Sequence, residues 1–219
     1  MKYEYDKNYF TNIDTNDKAY WLGFLYADGC VSEYKKPNGK IHCMVLDIGL
    51  SDKDKQHLVK FNNSLKSNIE IKHKTVSGCG TSRLTVCCTN MCRDLISHGC
   101  TPQKSLILEF PSLNDKLLPH FIRGYFDGDG CIYLGKYKYV INFVGTKNFL
   151  TDLRNVLKEH NISGPLKIYS KGNAYQMYIY GYNNLKEFYN YVYNDTDLYL
   201  DRKYEKFINC FQNKNAELG

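Results

Sequence analysis

Two aspartates stand out by type and spacing. Asp28 and Asp129 lie 101 positions apart (28 and 129), each followed by Gly-Cys and each five residues after a glycine, Gly23 or Gly124. Gly29 and Gly130 predict helices that stop on a glycine C-cap. Gly23 with Ala27, and Gly124 with Gly128, put small residues four apart on one helix face, spacing that lets two helices cross closely. Neither purpose needs an acid. A carboxylate in the last turn faces the negative end of the helix dipole, unfavourable by roughly 0.3–1 kcal/mol. The placement occurs twice, so a compensating cation is expected. If the small faces pack together, both carboxylates emerge side by side, and like charges raise each other's proton affinity unless a divalent metal sits between them. Hard oxygen ligands open to water and phosphate favour Mg²⁺.

The surrounding pattern repeats with the acids. Tyr20 to Cys30 (YWLGFLYADGC) matches Phe121 to Cys131 (FIRGYFDGDGC), and the segments C-terminal to the two copies correspond as well. In the first half Lys40 to Leu50 alternates as a strand, with Met44, Leu46, Ile48 and Leu50 on one side. Ser51 then offers an N-cap to a helix carrying Leu58, Phe61 and Leu65. Ile69 to Thr75 and Ser82 to Cys88 read as a hairpin around Ser77-Gly78-Cys79-Gly80, and Asn90 as the cap of a helix ending near Gly99. In the second half the strand is Lys138 to Gly145, the cap Thr146, and the helix face Phe149, Leu150, Leu153, Val156 and Leu157. Leu166 to Ser170 and Tyr175 to Tyr180 form a hairpin, followed by helices near Asn183–Tyr193 and Leu200–Phe211. The class is α+β: two αββαββα repeats, 1–113 and 114–219, joined within 101–115.

Composition narrows the function classes. Of 219 residues 43% are hydrophobic, 15% aromatic and 24% charged, which describes a folded chain and excludes a mainly disordered one. Lys plus Arg exceed Asp plus Glu by 29 to 23, a net charge of +6 that suits a polyanionic partner without naming one. The nine cysteines contain no C-x-x-C pair; Cys87, Cys88 and Cys92 with His98 come nearest to a zinc set but lack its paired spacing. They read instead as small buried apolar residues with reduced thiols. Met1-Lys2-Tyr3 opens no signal peptide, and no apolar run approaches the ~20 residues of a membrane span, so an intracellular, non-secreted protein is expected.

Trp21 to Gly29 (WLGFLYADG) and Ile122 to Gly130 (IRGYFDGDG) resemble the nonapeptide of LAGLIDADG homing endonucleases of the two-motif, single-chain type. The resemblance implies two pseudo-symmetric repeats packed through the motif helices into a saddle of two four-stranded antiparallel sheets. It implies Asp28 and Asp129 as essential acids, holding Mg²⁺ (replaceable by Mn²⁺) together with Gly29 and Gly130. It also implies a basic residue in each half near the attacking water or the cleaved phosphate. Lys104 and Lys203, each about 75 residues after its Asp, fill that place, with Arg202 a second choice. Two positions depart from symmetry. Tyr26 stands where the second motif has Asp127, so Asp127 reads as an additional acid near the metal or a helix surface residue. Leu50 and Gly145 occupy places where the family often has a polar, water-holding side chain, so that role is vacant or falls to Ser51 and Thr146, or to solvent. Unequal cleavage rates of the two DNA strands are therefore expected.

If the motif helices form the centre, each sheet leaves a face free for the major groove, which admits a β-ribbon. Alternation nominates Tyr34, Lys36, Lys40, Asp47, Lys72, Lys74, Arg83 and Thr85 in the first half. In the second it nominates Tyr137, Lys138, Asn142, Lys167, Tyr169, Lys171, Gln176 and Tyr178. Arg with guanine, Asn or Gln with adenine and Lys with phosphate are the expected pairings. The function implied is a site-specific, metal-dependent double-strand break with short 3′ overhangs in a long asymmetric duplex. The enzyme is expected to act as a monomer without an obligatory protein partner or membrane, and to be encoded in an intron or other mobile element. The alternative is an intron maturase or a DNA- or RNA-binding regulator of the same fold without nuclease activity. An intein would need a nucleophile at the first residue and a terminal His-Asn, whereas the sequence begins Met1-Lys2 and ends Leu218-Gly219.

Overall fold

The computed structural model describes residues 3–76, 78–135, 138–162, 166–194 and 196–216. The first half runs α1 (Asn16–Asp28), β1 (Gly29–Lys35), β2 (Ile41–Ser51), α2 (Lys55–Ser64), β3 (Lys72–Val76), β4 (Cys79–Cys87) and α3 (Thr89–Ser97). The second runs α4 (Leu118–Asp129), β5 (Cys131–Leu134), β6 (Tyr139–Gly145), α5 (Lys147–Glu159), β7 (Ile168–Lys171), β8 (Ala174–Tyr180), α6 (Tyr182–Tyr193) and α7 (Asp201–Ala216). Strand order is β1-β2-β4-β3 in one sheet and β5-β6-β8-β7 in the other, all antiparallel. The repeat is thus the architecture: two sheets of identical topology, each opened by a helix ending on Asp.

Each sheet buries one face. Met44, Leu46, Ile48 and Leu50 of β2 point inward with Leu84 and Val86 of β4, against Leu58 and Phe61 of α2. In the second half Ile141, Phe143, Met177 and Ile179 do the same against Phe149, Leu150, Leu153 and Leu157. One apolar core runs through both halves, because α1 and α4 cross at its centre. The crossing is set by glycine. A Cβ on Gly23 would lie 2.0 Å from the Phe121 carbonyl oxygen, and one on Gly124 would lie 1.9 Å from that of Tyr20. Those reciprocal contacts mark a local two-fold axis through the helix pair.

Several local expectations need correcting. Gly29 and Gly130 do cap α1 and α4, in extended backbone (φ −76° and −69°); they are glycines for space, since a Cβ would stand 2.7 Å from the Leu25 carbonyl oxygen or 2.5 Å from that of Phe126. Thr146 does cap α5, its Oγ1 accepting the Phe149 N–H at 3.1 Å. Ser51 remains in β2 and makes no capping bond, while its neighbour Asp52 accepts from Ser82. Helix α3 starts at Thr89 rather than after Asn90, and Thr89 Oγ1 accepts the Met44 N–H instead of capping. The first hairpin is tighter than expected: Val76 pairs directly with Cys79, and Gly78 takes φ +79°. Ser77 lies outside the described residues.

Candidate active site and nucleic-acid interface

The crossing delivers both acids to one place. Asp28 Oδ2 lies 3.4 Å from where a Cβ on Gly128 would stand, so the first acid sits directly over the last turn of α4. Among the described residues neither carboxylate has a hydrogen-bond or salt-bridge partner. Burial, and then the charge of Asp129, push the Asp28 carboxyl up to about 6. Asp129 is exposed to solvent on one side but backed by dense protein, and desolvation raises its carboxyl too, against the pull of Lys104 and Lys203. Two desolvated acids of one sign have high demand for a cation.

The lysines arrive from the far ends of the halves at matching positions. Lys104, in the 3-10 turn Lys104–Leu106, donates to the Gly29 carbonyl. Lys203, in the first turn of α7, donates to the carbonyls of Phe126, Gly128 (3.3 Å) and Gly130 (2.5 Å). They are 9% and 2% exposed, so each ammonium sits on the carbonyl end of a motif helix and opposes its dipole. Desolvation lowers Lys203 to about 8, with Asp127, Asp28 and Asp129 resisting the fall. Arg202 faces elsewhere: its Nε donates to both Asp54 carboxylate oxygens at 2.9 and 3.0 Å. A second bridge between the halves is Lys60 to Asp201 at 2.6 Å.

Asp127 is neither a surface residue nor a free acid beside the metal. It is 1% exposed and accepts from Tyr20 (2.8 Å), Tyr193 (2.6 Å) and the Leu200 N–H (2.8 Å). Burial raises its carboxyl, opposed by Lys203 and these donors. Tyr20 has one hydroxyl proton and gives it to Asp127, so the His57 Nε2 that lies 2.9 Å away must carry its own proton and donate. His57 Nδ1 is then a buried acceptor without a partner among the described residues, and desolvation lowers the ring to about 3, so that it is neutral. The alternating-strand reading could not reveal this cluster, because its members come from α1, α2, α4 and α6. Arg123, one turn before Asp127, holds the carbonyls of Val192 (2.6 Å) and Leu198 (2.9 Å). Leu50 and Gly145 are buried; of the two candidate water holders, Thr146 is committed to the Leu108 carbonyl and the Phe149 amide, and Ser51 is exposed.

The outer sheet faces carry the nominated readers. Lys72 pairs with Arg83, and Asp47 with Thr85, whose hydroxyl donates to it; Tyr34, Lys36 and Lys40 lie at the turn end of the β1–β2 hairpin. Lys74 is exposed on β3. In the second sheet Tyr169 pairs with Gln176 and Asn142 with Tyr178 on the outer face, with Lys138 and Lys167 exposed. Asn142 is partly spent, its amide donating to the Met177 carbonyl at 3.2 Å. Tyr137 lies outside the described residues, and Lys171 is placed only by its backbone in β7. The sequence reading missed Tyr133 and Tyr180, exposed on that same face; the alternation of β5 and β8 carries the signal. The two faces differ chemically. The first is rich in cations, and the second displays Tyr133, Tyr178 and Tyr180 around a cavity of about 310 Å³ lined also by Lys138 and Asn142, with the Tyr169 ring 6.0 Å from that of Tyr178.

Cysteines divide by position. Cys88, Cys92, Cys100 and Cys210 are buried as expected, but Cys30, Cys87 and Cys131 are exposed, and no group of three metal-ligating residues occurs among the described residues. No helix of the described residues is long and apolar enough to cross a membrane.

A pseudo-two-fold pair of α+β halves with acids at the crossed helix ends defines the LAGLIDADG homing endonuclease fold. Residues 118–193 match the family described as the LAGLIDADG-like domain. The chain is similar to the LAGLIDADG meganuclease I-AabMI bound to uncleaved DNA, at TM-score 0.61 and 12% identity, over 90% of this chain and 92% of that one. It is also similar to the I-LtrWI LAGLIDADG homing endonuclease bound to target DNA (TM-score 0.57, 12% identity, 96% and 92% covered). A third similar structure is I-SmaMI bound to an uncleaved DNA target in the presence of calcium ions (TM-score 0.54, 11% identity, 90% and 92% covered). No curated protein matches the chain.

Proposed function

We propose that this chain is a site-specific DNA endonuclease that hydrolyses one phosphodiester in each strand of a long asymmetric target, leaving short 3′ overhangs. The observation that carries this reading is the meeting of Asp28 and Asp129, desolvated and unpaired among the described residues, between two sheets whose outer faces are free. Two carboxylates suit Mg²⁺, which keeps water and phosphate oxygens in its shell rather than needing a full protein cage. A similar protein, I-SmaMI, was solved with DNA and calcium ions, which agrees with a divalent requirement. When bound, the cation supplies a more acidic water and neutralises charge growing on the leaving 3′ oxygen.

The chain's own groups do the rest. Asp28 and Asp129 hold the cation at the centre of the saddle. The Gly29 and Gly130 carbonyls already accept from Lys104 and Lys203, and each has a second lone pair to offer. The two ammonium groups lie where charge develops on a cleaved phosphate, and their fixed carbonyl seats preorganise them. Outer-face cations bind phosphates and the remaining polar side chains read bases. Because the halves display different faces, the preferred target is not a palindrome. We further propose that the enzyme acts inside the cell on the insertion site of the mobile element that encodes it, as a monomer.

The test replaces either acid. Asp28→Asn and Asp129→Asn should each abolish double-strand cleavage in Mg²⁺ while target affinity stays within about threefold of wild type. Full cleavage by either variant sinks the reading.

A further inference from the structure

We infer that the residue two positions before each acid, Tyr26 in the first half and Asp127 in the second, is a positioning residue that fixes the lysine-bearing segment of its own half. The inference rests on reading Lys104 and Lys203 as parts of the nuclease site. The two motif helices share Gly, Asp, Gly and Cys at matching places but differ in chemistry at this position, where one carries a phenol and the other a carboxylate, as they do at Leu22 and Arg123. Both are buried, at 2% and 1% exposure, and both spend their polar atoms on groups of the protein itself.

Each ends on the backbone just ahead of a lysine. The Tyr26 hydroxyl donates to the His98 carbonyl, and Gly99 (φ +94°) makes room for it, since a Cβ there would stand 2.1 Å from the phenol oxygen. Cys100 Sγ adds a bond to the Leu25 carbonyl at 3.5 Å. The last turn of α1 thereby holds residues 98–100, from which the chain reaches Lys104 within one short segment. Asp127 accepts the Leu200 N–H, and Leu200 in turn receives the Lys203 N–H at 2.9 Å. That carboxylate fixes the first turn of α7, from which Lys203 projects onto three carbonyls. Tyr193 and Tyr20 also donate to it and orient it. Opposite chemistry does the same work: a donor grips a carbonyl in one half, and an acceptor grips an N–H in the other. The two grips share no bond, so they are separable.

Separability gives the test. Amide hydrogen exchange in Tyr26→Phe should rise at least tenfold in residues 98–106 and stay unchanged in 200–206. Asp127→Asn should do the reverse. Should the Asn variant not fold, Tyr193→Phe, which removes one of three bonds to the same carboxylate, should give the same pattern with smaller size. On strand-labelled target, Tyr26→Phe should slow nicking of one strand about tenfold, and the Asp127 or Tyr193 variant the other strand, with DNA affinity unchanged. Exchange rising in both segments together, or in neither, overturns the inference, as does equal slowing of both strands. If the wild-type chain cuts no DNA while the exchange pattern holds, the nuclease reading fails and the positioning role stands.

Discussion

Removing a site acid should make the metal-free protein more stable. Asp28 carries a carboxyl pushed from 3.8 to about 6, first by burial and then by Asp129. A folded-state value above the unfolded one means that stability is intact below the unfolded value near 4 and is lost as pH rises toward 6. The gap of about two pH decades, at about 1.4 kcal/mol per decade, sets a loss of about 3 kcal/mol at pH 7. Asparagine has the same shape and no charge, so Asp28→Asn should recover up to that amount at pH 7 and only about 1 kcal/mol at pH 4.5. In a chain of this size about 3 kcal/mol raises Tm by about 6 °C or more. The assay is thermal and urea denaturation in a chelator at both pH values, followed by titration with Mg²⁺. The cation should stabilise wild type and leave the variant unmoved, because ligation of the native state alone raises stability. An Asp28→Asn protein no more stable than wild type at pH 7, or a gap that does not shrink toward pH 4.5, refutes the electrostatic account of the site.

Other perturbations probe other parts. Gly124→Ala places a methyl against the Tyr20 carbonyl, and overpacking against backbone should cost about 3 kcal/mol in urea denaturation; a loss below about 1 kcal/mol would contradict the crossing. Lys203→Met should cut the cleavage rate about 100-fold, the scale of a lost charge-stabilising donor, whereas Arg202→Ala, whose partner is Asp54, should stay within about threefold. Target affinity measured from 50 to 200 mM salt should fall with a log–log slope of about −4 or steeper, as several phosphate contacts from Lys72, Lys74, Arg83 and Lys138 require; a flat profile would contradict the proposed faces.

The repeat of small residues and acids is legible in the sequence because both motif helices obey the same local constraint, close crossing followed by a sheet. Strand alternation places Asp47, Arg83, Thr85, Tyr169 and Gln176 on the outer faces for the same reason: a period of two has only one inward set. Cap identities are less legible, since Ser51 stays in β2 without a capping bond and Thr89 accepts the Met44 N–H of that strand instead of capping its own helix. Asp127 reads as accessible from sequence because its environment is assembled from segments more than 60 residues distant, Tyr193 and Leu200 among them. No spacing rule encodes such a meeting. Gly29 and Gly130 show the same limit at short range: their type is right for a helix end, but the reason is crowding by the preceding turn, not positive φ.

The central claim is that two acids from two halves of one chain cut two DNA strands. Cleavage selection from a randomised duplex library in Mg²⁺, with product ends sequenced, tests it most directly. The account predicts a single asymmetric consensus, cut on both strands with 3′ overhangs, and complete loss of cut products with Asp28→Asn or Asp129→Asn. Products that persist in those variants, or a palindromic consensus, would contradict it.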